Sequence, residues 1–447
     1  MITMSMRVFC CRLLLPTMLY LPVMASVHAT DLMGAYKLAQ DSDPQYRQVA
    51  ANKRAVEESR PQAYSQLMPS INMTADTYYN DQKTTVKSSG GIPGGDFQYS
   101  THGYDLNLRQ PIFHWDRYLQ IKQADYSIKQ ADAQLALAQQ QLMVRVAEAY
   151  FNVLAAEDSL DFARAEKRAL GRQLEQSKQR FDVGLTAITD VQEAQAGYDR
   201  AVAEEIAAEN DIDNTREAIR EITGQYIDNL EKLSGKMPLV KPEPADIDAW
   251  TDIALRENLN IIAAQKAVDQ SREAVSIQRS GHYPTVDMVT QYGYNTTGGR
   301  FGDTSNRSGS IGLELNVPLF SGGYVSSKTR EAQQRLQEQL ERLEQARRQA
   351  HRETRQSYLG VISGISQIKA LNQAVISSET ALEATQAGYE VGTRTAVDVV
   401  ASERATFQAK RDYARARYNY LVNTLQLKLA SGTLSMDDLA QINVWLK

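Results

Sequence analysis

Phe181-Asp182-Val183-Gly184-Leu185-Thr186-Ala187-Ile188-Thr189-Asp190-Val191-Gln192 is a passage that the chain repeats, with changes, as Gly388-Tyr389-Glu390-Val391-Gly392-Thr393-Arg394-Thr395-Ala396-Val397-Asp398-Val399. Position 389 stands 208 residues after position 181. At that offset Phe181-Asp182-Val183-Gly184 meets Tyr389-Glu390-Val391-Gly392, Asp190-Val191 meets Asp398-Val399, and Gly224 meets Gly432. The register holds without a gap across this span, which marks one supersecondary unit built twice.

The passages sit at the ends of very long helical stretches. Residues 116–181 contain one glycine, Gly171, and no proline; as a helix they would make a rod of about 100 Å. Apolar residues recur every seven positions: Ile128, Leu135, Leu142 and Ala149, then Val146, Val153 and Leu160, and in the second half Val361, Ile368, Val375 and Leu382. That spacing predicts coiled-coil stripes. The Val-Gly elements predict turns, after which helices return over 191–222 and 399–430. The other positions are crowded with Ala, Gln, Glu and Arg, so the rods are expected to pack sideways against further copies.

Ahead of each rod the period changes from helical to two. Ile71, Met73, Ala75, Thr77 and Tyr79 alternate with Asn72, Thr74, Asp76 and Tyr78, a strand with two differently solvated faces. A loop at Ser88–Gly95 leads to a second alternation at Tyr104, Leu106 and Leu108. Val286, Met288, Thr290 and Tyr292, a loop over Asn295–Ser308, and Ile311, Leu313, Leu315 and Val317 repeat the hairpin. Strands of about ten residues suffice to cross a bilayer at a tilt. Helix is expected over Asp31–Gln66, broken at Pro44 and Pro61, and over Asp246–Ser280, ended by Pro284.

The N-terminus reads as a cleaved signal peptide over 1–29, with Arg7 and Arg12 before the apolar Leu13–Val23 and Val27-His28-Ala29 as the cleavage site. Its removal takes both cysteines, Cys10 and Cys11, and shifts the net charge from −5 to −7. Disulfides and thiolate chemistry are thereby excluded from the mature chain. The acidity argues against nucleic acid as a partner. The expected organisation is a first repeat over 30–224 (helix, β-hairpin, long helical hairpin), a linker or equatorial segment over 225–249, a second repeat over 250–432 and a C-terminal tail over 433–447.

No catalytic constellation is legible. His102, His114, His282 and His351 lack metal-ligand spacing, no phosphate-binding loop is present, and neither enzyme activity, metal nor cofactor is expected. Four strands cannot close a barrel, and open edges in lipid leave backbone groups unpaired. The edges must meet those of other copies: two would give eight strands and three would give twelve.

The two quoted passages resemble the coiled-coil turns of the TolC-like outer membrane efflux proteins, and the similarity runs from about Asp31 to Gly432. This resemblance implies a mixed fold: a membrane β-barrel shared by three protomers, four strands each, continuous with a long α-helical coiled-coil barrel. It implies a homotrimer in outer membrane lipid, reaching through the periplasm to a periplasmic adaptor (membrane fusion) protein and an inner-membrane pump or ABC exporter. It implies an exit duct for efflux, type I secretion, or both, with the cargo unspecified. The alternative is a periplasmic coiled-coil scaffold or adaptor; two equivalent hairpins with paired strands favour the channel.

The resemblance also implies site residues. Tyr389 and Arg394 match residues that link to the acidic residue matching Asp190 and hold the periplasmic entrance shut. Asp398 would form a carboxylate ring at the pore entrance, attracting cations, its three copies raising one another's pKa. The family pattern carries a second acidic residue one turn deeper, where this chain has Ala401, with Glu403 nearby on another face. Tyr78, Tyr79, Tyr99, Tyr104, Tyr292 and Tyr294 are expected as interfacial aromatics.

Overall fold

The computed structural model describes residues 29–85, 94–235, 237–299 and 302–446. The signal peptide expected over 1–29 lies, except for Ala29, outside the described residues, as do positions 88–93 of the first expected loop.

The N-terminal stretch breaks twice. Helices α1 (Leu32–Ser42), α2 (Pro44–Glu57) and α3 (Ser59–Ser65) follow one another. The first break is made by Asp43, whose carboxylate accepts from the Tyr46 amide at 2.7 Å with Pro44 opening α2. The second repeat departs from the expected continuous helix at the corresponding place. Asn258 separates α6 (Ile247–Glu257) from α7 (Leu259–Arg279), capping α7 through the Asn260 amide at 2.9 Å and donating to the Ala430 carbonyl at 2.8 Å. An N-cap side chain fixes where a new helix starts, so a break needs no proline.

Strands β1 (Ser70–Thr84), β2 (Gly95–Phe113), β3 (Thr285–Thr297) and β4 (Thr304–Asn316) form one antiparallel sheet in chain order. At 15, 19, 13 and 13 residues they exceed the ten expected, and β3 and β4 run well into the loop expected over 295–308. Ser, Thr and Asn continue the pairing past the apolar band because a ladder needs only backbone partners. The β2–β3 pairing joins the two halves and leaves β1 and β4 as free edges.

Below the sheet run the rods α4 (Trp115–Asp182) and α8 (Tyr324–Glu390), of 68 and 67 residues. Their returning partners are α5 (Ile188–Thr223) and α9 (Ala396–Ser431). Near the sheet, α4 packs on α2, α3 and α7; beyond its middle it packs on α5 and α9. The core lies at mid-rod. Leu142, Val146, Tyr150, Phe151, Val153 and Leu154 meet Val361, Ile365, Ile368, Leu421 and Leu425 there. The seven-residue stripe is buried over this zone, whereas Ile128, Leu135, Val375 and Leu382 are only half-buried within one chain. Residues Thr30 and Leu230, then Leu233 and Leu446, bridge across this girth. The C-terminal tail adds α10 (Met436–Asn443), opened by a capping box between Ser435 and Asp438. No described helix is long and apolar enough to cross a membrane.

Candidate functional site

The far ends of the two helical hairpins are built alike. The Leu185 amide donates to the Arg180 carbonyl at 2.8 Å, and the Thr393 amide to the Gly388 carbonyl at 2.8 Å. In each turn the residue before the closing amide is a left-handed glycine, Gly184 at φ 74° and Gly392 at φ 79°. This is the six-to-one closure that ends a helix on a positive-φ residue, and glycine adopts it without a Cβ penalty.

The duplicates then diverge at the start of the returning helix. Thr395 caps α9, accepting from the Asp398 amide at 3.3 Å, while Asp398 accepts from the Thr395 amide at 2.9 Å and hydroxyl at 3.0 Å. These donors, with the Arg394 guanidinium nearby, hold the Asp398 carboxyl below its usual range. The first copy has Ala187 at the cap position, with no side-chain bond. Asp190 therefore accepts from the Thr186 hydroxyl instead.

Tyr389 is 5 % exposed and packs with Ala396 and Val399. Its hydroxyl lies 3.4 Å from Ser177 Oγ, and the Arg180 guanidinium lies 4.6 Å from its ring centroid. Arg180 also donates to the Tyr389 carbonyl at 3.2 Å and the Glu390 carbonyl at 3.3 Å. Arg394 is exposed, its stem lying over Gly388, where a Cβ would come within 2.7 Å of Arg394 Cγ. Among the described residues, no hydrogen bond or ion pair joins Asp190 to Tyr389 or Arg394 within one chain. The structure brings Tyr389 to α4 and leaves Asp190 and Arg394 apart.

At the other end, strand register sorts the tyrosines. Ile71, Met73 and Ala75 pair with Leu108, Leu106 and Tyr104; Leu106 and Tyr104 pair with Tyr292 and Tyr294; Thr290 and Met288 pair with Ile311 and Leu313. These residues share the apolar face with Tyr79. Tyr78 and Tyr99 lie on the opposite face, among Asn80, Asn107, Asp105 and Gln291. The six expected interfacial aromatics thus divide four to two, because neighbours such as Tyr78 and Tyr79 cannot share a face at period two. Tyr104 and Tyr294 have ring centroids 5.6 Å apart.

The profile of the outer membrane efflux protein family matches residues 35–225 and 250–433.

The chain belongs to the outer membrane efflux protein family.

Its relatives include the outer membrane protein TolC of Vibrio cholerae, 38 % identical over 95 % of either chain. Escherichia coli TolC is 36 % identical, over 93 % of this chain and 85 % of that one. The alkaline protease secretion protein AprF of Pseudomonas aeruginosa is 28 % identical, over 92 % and 86 %. Two solved channels share the fold: VceC of Vibrio cholerae, at TM-score 0.74, 21 % identity and coverage of 90 % and 96 %, and CmeC of Campylobacter jejuni, at TM-score 0.77, 14 % identity and coverage of 93 % and 90 %.

Three features of this outer membrane efflux protein escaped the sequence reading. Arg180 and Ser177 are partners of Tyr389; the signal for Arg180 was its place immediately before Phe181-Asp182-Val183-Gly184, where the second copy has Gly388. A further set of aromatics, Trp115, Tyr118, Phe320 and Tyr324, is exposed where the strands meet the rods, with Trp115 and Tyr118 stacked at 6.3 Å. Glu403 lies on another face than the exposed Ala401, as expected, but its burial, at 6 % exposure, had no signal in the sequence.

Proposed function

We infer that the protein is an outer membrane channel-tunnel extending into the periplasm, the exit duct of efflux and type I secretion. The observation that carries this reading is the four-stranded sheet with one apolar and one polar face and free edges at β1 and β4. In lipid those edges require partners. Three copies give twelve strands, a barrel wide enough to hold a lumen. The names of the relatives TolC, AprF and the proteases secretion protein PrtF of Dickeya chrysanthemi support export of substrates across the envelope.

A periplasmic adaptor and an inner-membrane pump or ABC exporter complete the path. Drugs, toxins and proteases are the cargo classes consistent with it. The entrance is held shut at the two turns, with Tyr389 and Arg394 reaching toward Asp190, the Arg394–Asp190 link running between neighbouring chains. Asp398 supplies the carboxylate ring.

Native mass spectrometry in detergent is expected to give a trimer; a stable monomer or dimer would overturn the barrel. In planar bilayers Arg394→Ser with Tyr389→Phe should conduct more than the parent. Unchanged conductance in correctly inserted trimers would remove the gate role from these residues.

A further inference from the structure

Glu403 stands about two turns inside α9 and is 94 % buried by its exposure of 6 %. One carboxyl oxygen accepts from Gln386 Nε2 on α8 at 3.3 Å. The other, Oε2, has no hydrogen-bond partner, and neither does Nε2 of buried Gln173 on α4. Both residues line a niche of about 170 Å³ between α4, α8 and α9, together with Arg172, Gln386, Tyr389 and Glu390.

The charges facing Glu403 are few. Arg172 of α4 favours its ionised form, and Glu166 of α4 opposes it. Glu166 is itself tied to Arg411 of α9 at 2.9 Å. From α8 come Gln386, which is neutral, and Glu390, which lines the niche. Burial outweighs the Gln386 hydrogen bond and pushes the Glu403 carboxyl up to about 7. An ionised carboxylate held here by a single neutral donor is poorly compensated, whereas the protonated form loses far less on burial.

We propose that Glu403 is a proton-controlled element of the entrance: protonated, it stays packed between the α8–α9 hairpin and α4; ionised, it drives them apart to reach water. The proposal rests on the reading of Tyr389 as a gate residue, because Tyr389 walls the same niche. The closed state binds the proton more tightly than an open state in which Glu403 is hydrated. Closure is therefore favoured in acid. The penalty on closure grows as pH rises from the ordinary carboxylate range toward 7 and is complete above it.

The test is single-channel recording of the full-length trimer in planar bilayers. Open probability of the parent should rise on the order of tenfold between about pH 5.5 and about pH 8. Glu403→Gln keeps the shape, cannot ionise, and should hold the acid level at both values; a parent-like pH slope in this variant would overturn the proposal. Should that variant not assemble, infrared titration of the unaltered trimer decides. A protonated-carboxyl band that persists at about pH 6, remains in Glu166→Gln (the other carboxyl raised by burial), and is lost in Arg394→Ser with Tyr389→Phe, supports the proposal. The lack of any such band above the ordinary carboxylate range overturns it. Failure of the gate reading shows separately, as unchanged conductance of the double variant at every pH.

Discussion

The Arg180 guanidinium lies over the Tyr389 ring, 4.6 Å from its centroid, and donates to the Tyr389 and Glu390 carbonyls. One side chain thus clamps the end of α8 to the end of α4 through the ring face and two of the last helical carbonyls. The Tyr389 carbonyl also accepts from the Gly392 amide at 3.2 Å, and both carbonyls lie at the negative end of the helix dipole, which favours a cation there. The duplication explains why the clamp acts in one direction only: the counterpart of Arg180 is Gly388, which leaves room for the Arg394 stem.

Arg180→Ala should loosen the tip. A cation over an aromatic face contributes roughly 0.5–2 kcal/mol, and the two carbonyls add to it. Open probability in planar bilayers is expected to rise roughly tenfold, with trimer yield unchanged. Arg180→Lys should recover only part of the closure, since an ammonium cannot stack and span both carbonyls with a planar fork.

Asp398 and Thr395 give a pH signature. The Thr395 amide and hydroxyl hold the Asp398 carboxyl below its usual range, so cation preference at the pore mouth should be present above that range and persist as pH falls into it. Thr395→Val removes the hydroxyl, and the pH at which cation selectivity disappears should move upward. Asp398→Ala should lower selectivity and divalent-cation sensitivity at neutral pH. Reversal potentials in salt gradients measure both; a Thr395→Val profile superimposable on the parent would deny the hydrogen bond its role.

The repeat's glycines should tolerate alanine unequally. Gly392 has positive φ and open space around its Cβ position, so Gly392→Ala should cost about 1 kcal/mol from the backbone alone. Gly432 has positive φ as well, but a Cβ there would meet the Glu257 carbonyl oxygen at 2.3 Å. Gly432→Ala must also displace the α6–α7 junction. The temperature at which the trimer expected from the barrel dissociates in gels should fall further for Gly432→Ala than for Gly392→Ala.

Much of this architecture was written in local patterns. The rods follow from proline-free, seven-spaced stretches, and the sheet from alternation at Ile71–Tyr79 and Val286–Tyr292. The turns follow from a glycine that the backbone demands. What escaped depended on contacts between distant segments. Nothing in α9 alone distinguishes Glu403 from the exposed Ala401, because its burial comes from α8 and α4, which pack on α9. The break at Asn258 was missed because the side chain caps α7 and bonds Ala430 across 172 positions. The division of the tyrosines needed the register of three strand pairs, not the alternation of one.

The concentration of the core at mid-rod has a mechanical consequence. Tyr150, Phe151 and Leu154 are anchored in the large cluster, whereas beyond them the helices meet through small sets such as Leu174, Val191 and Ala194, or Tyr389, Ala396 and Val399. The girth is a fulcrum and the remainder of α4, from Leu154 to Asp182, is a lever of about 42 Å. A tilt of about 10° about that fulcrum carries the tip through about 7 Å while the strands stay still. Force applied at the turns therefore acts with the longest arm on the weakest packing.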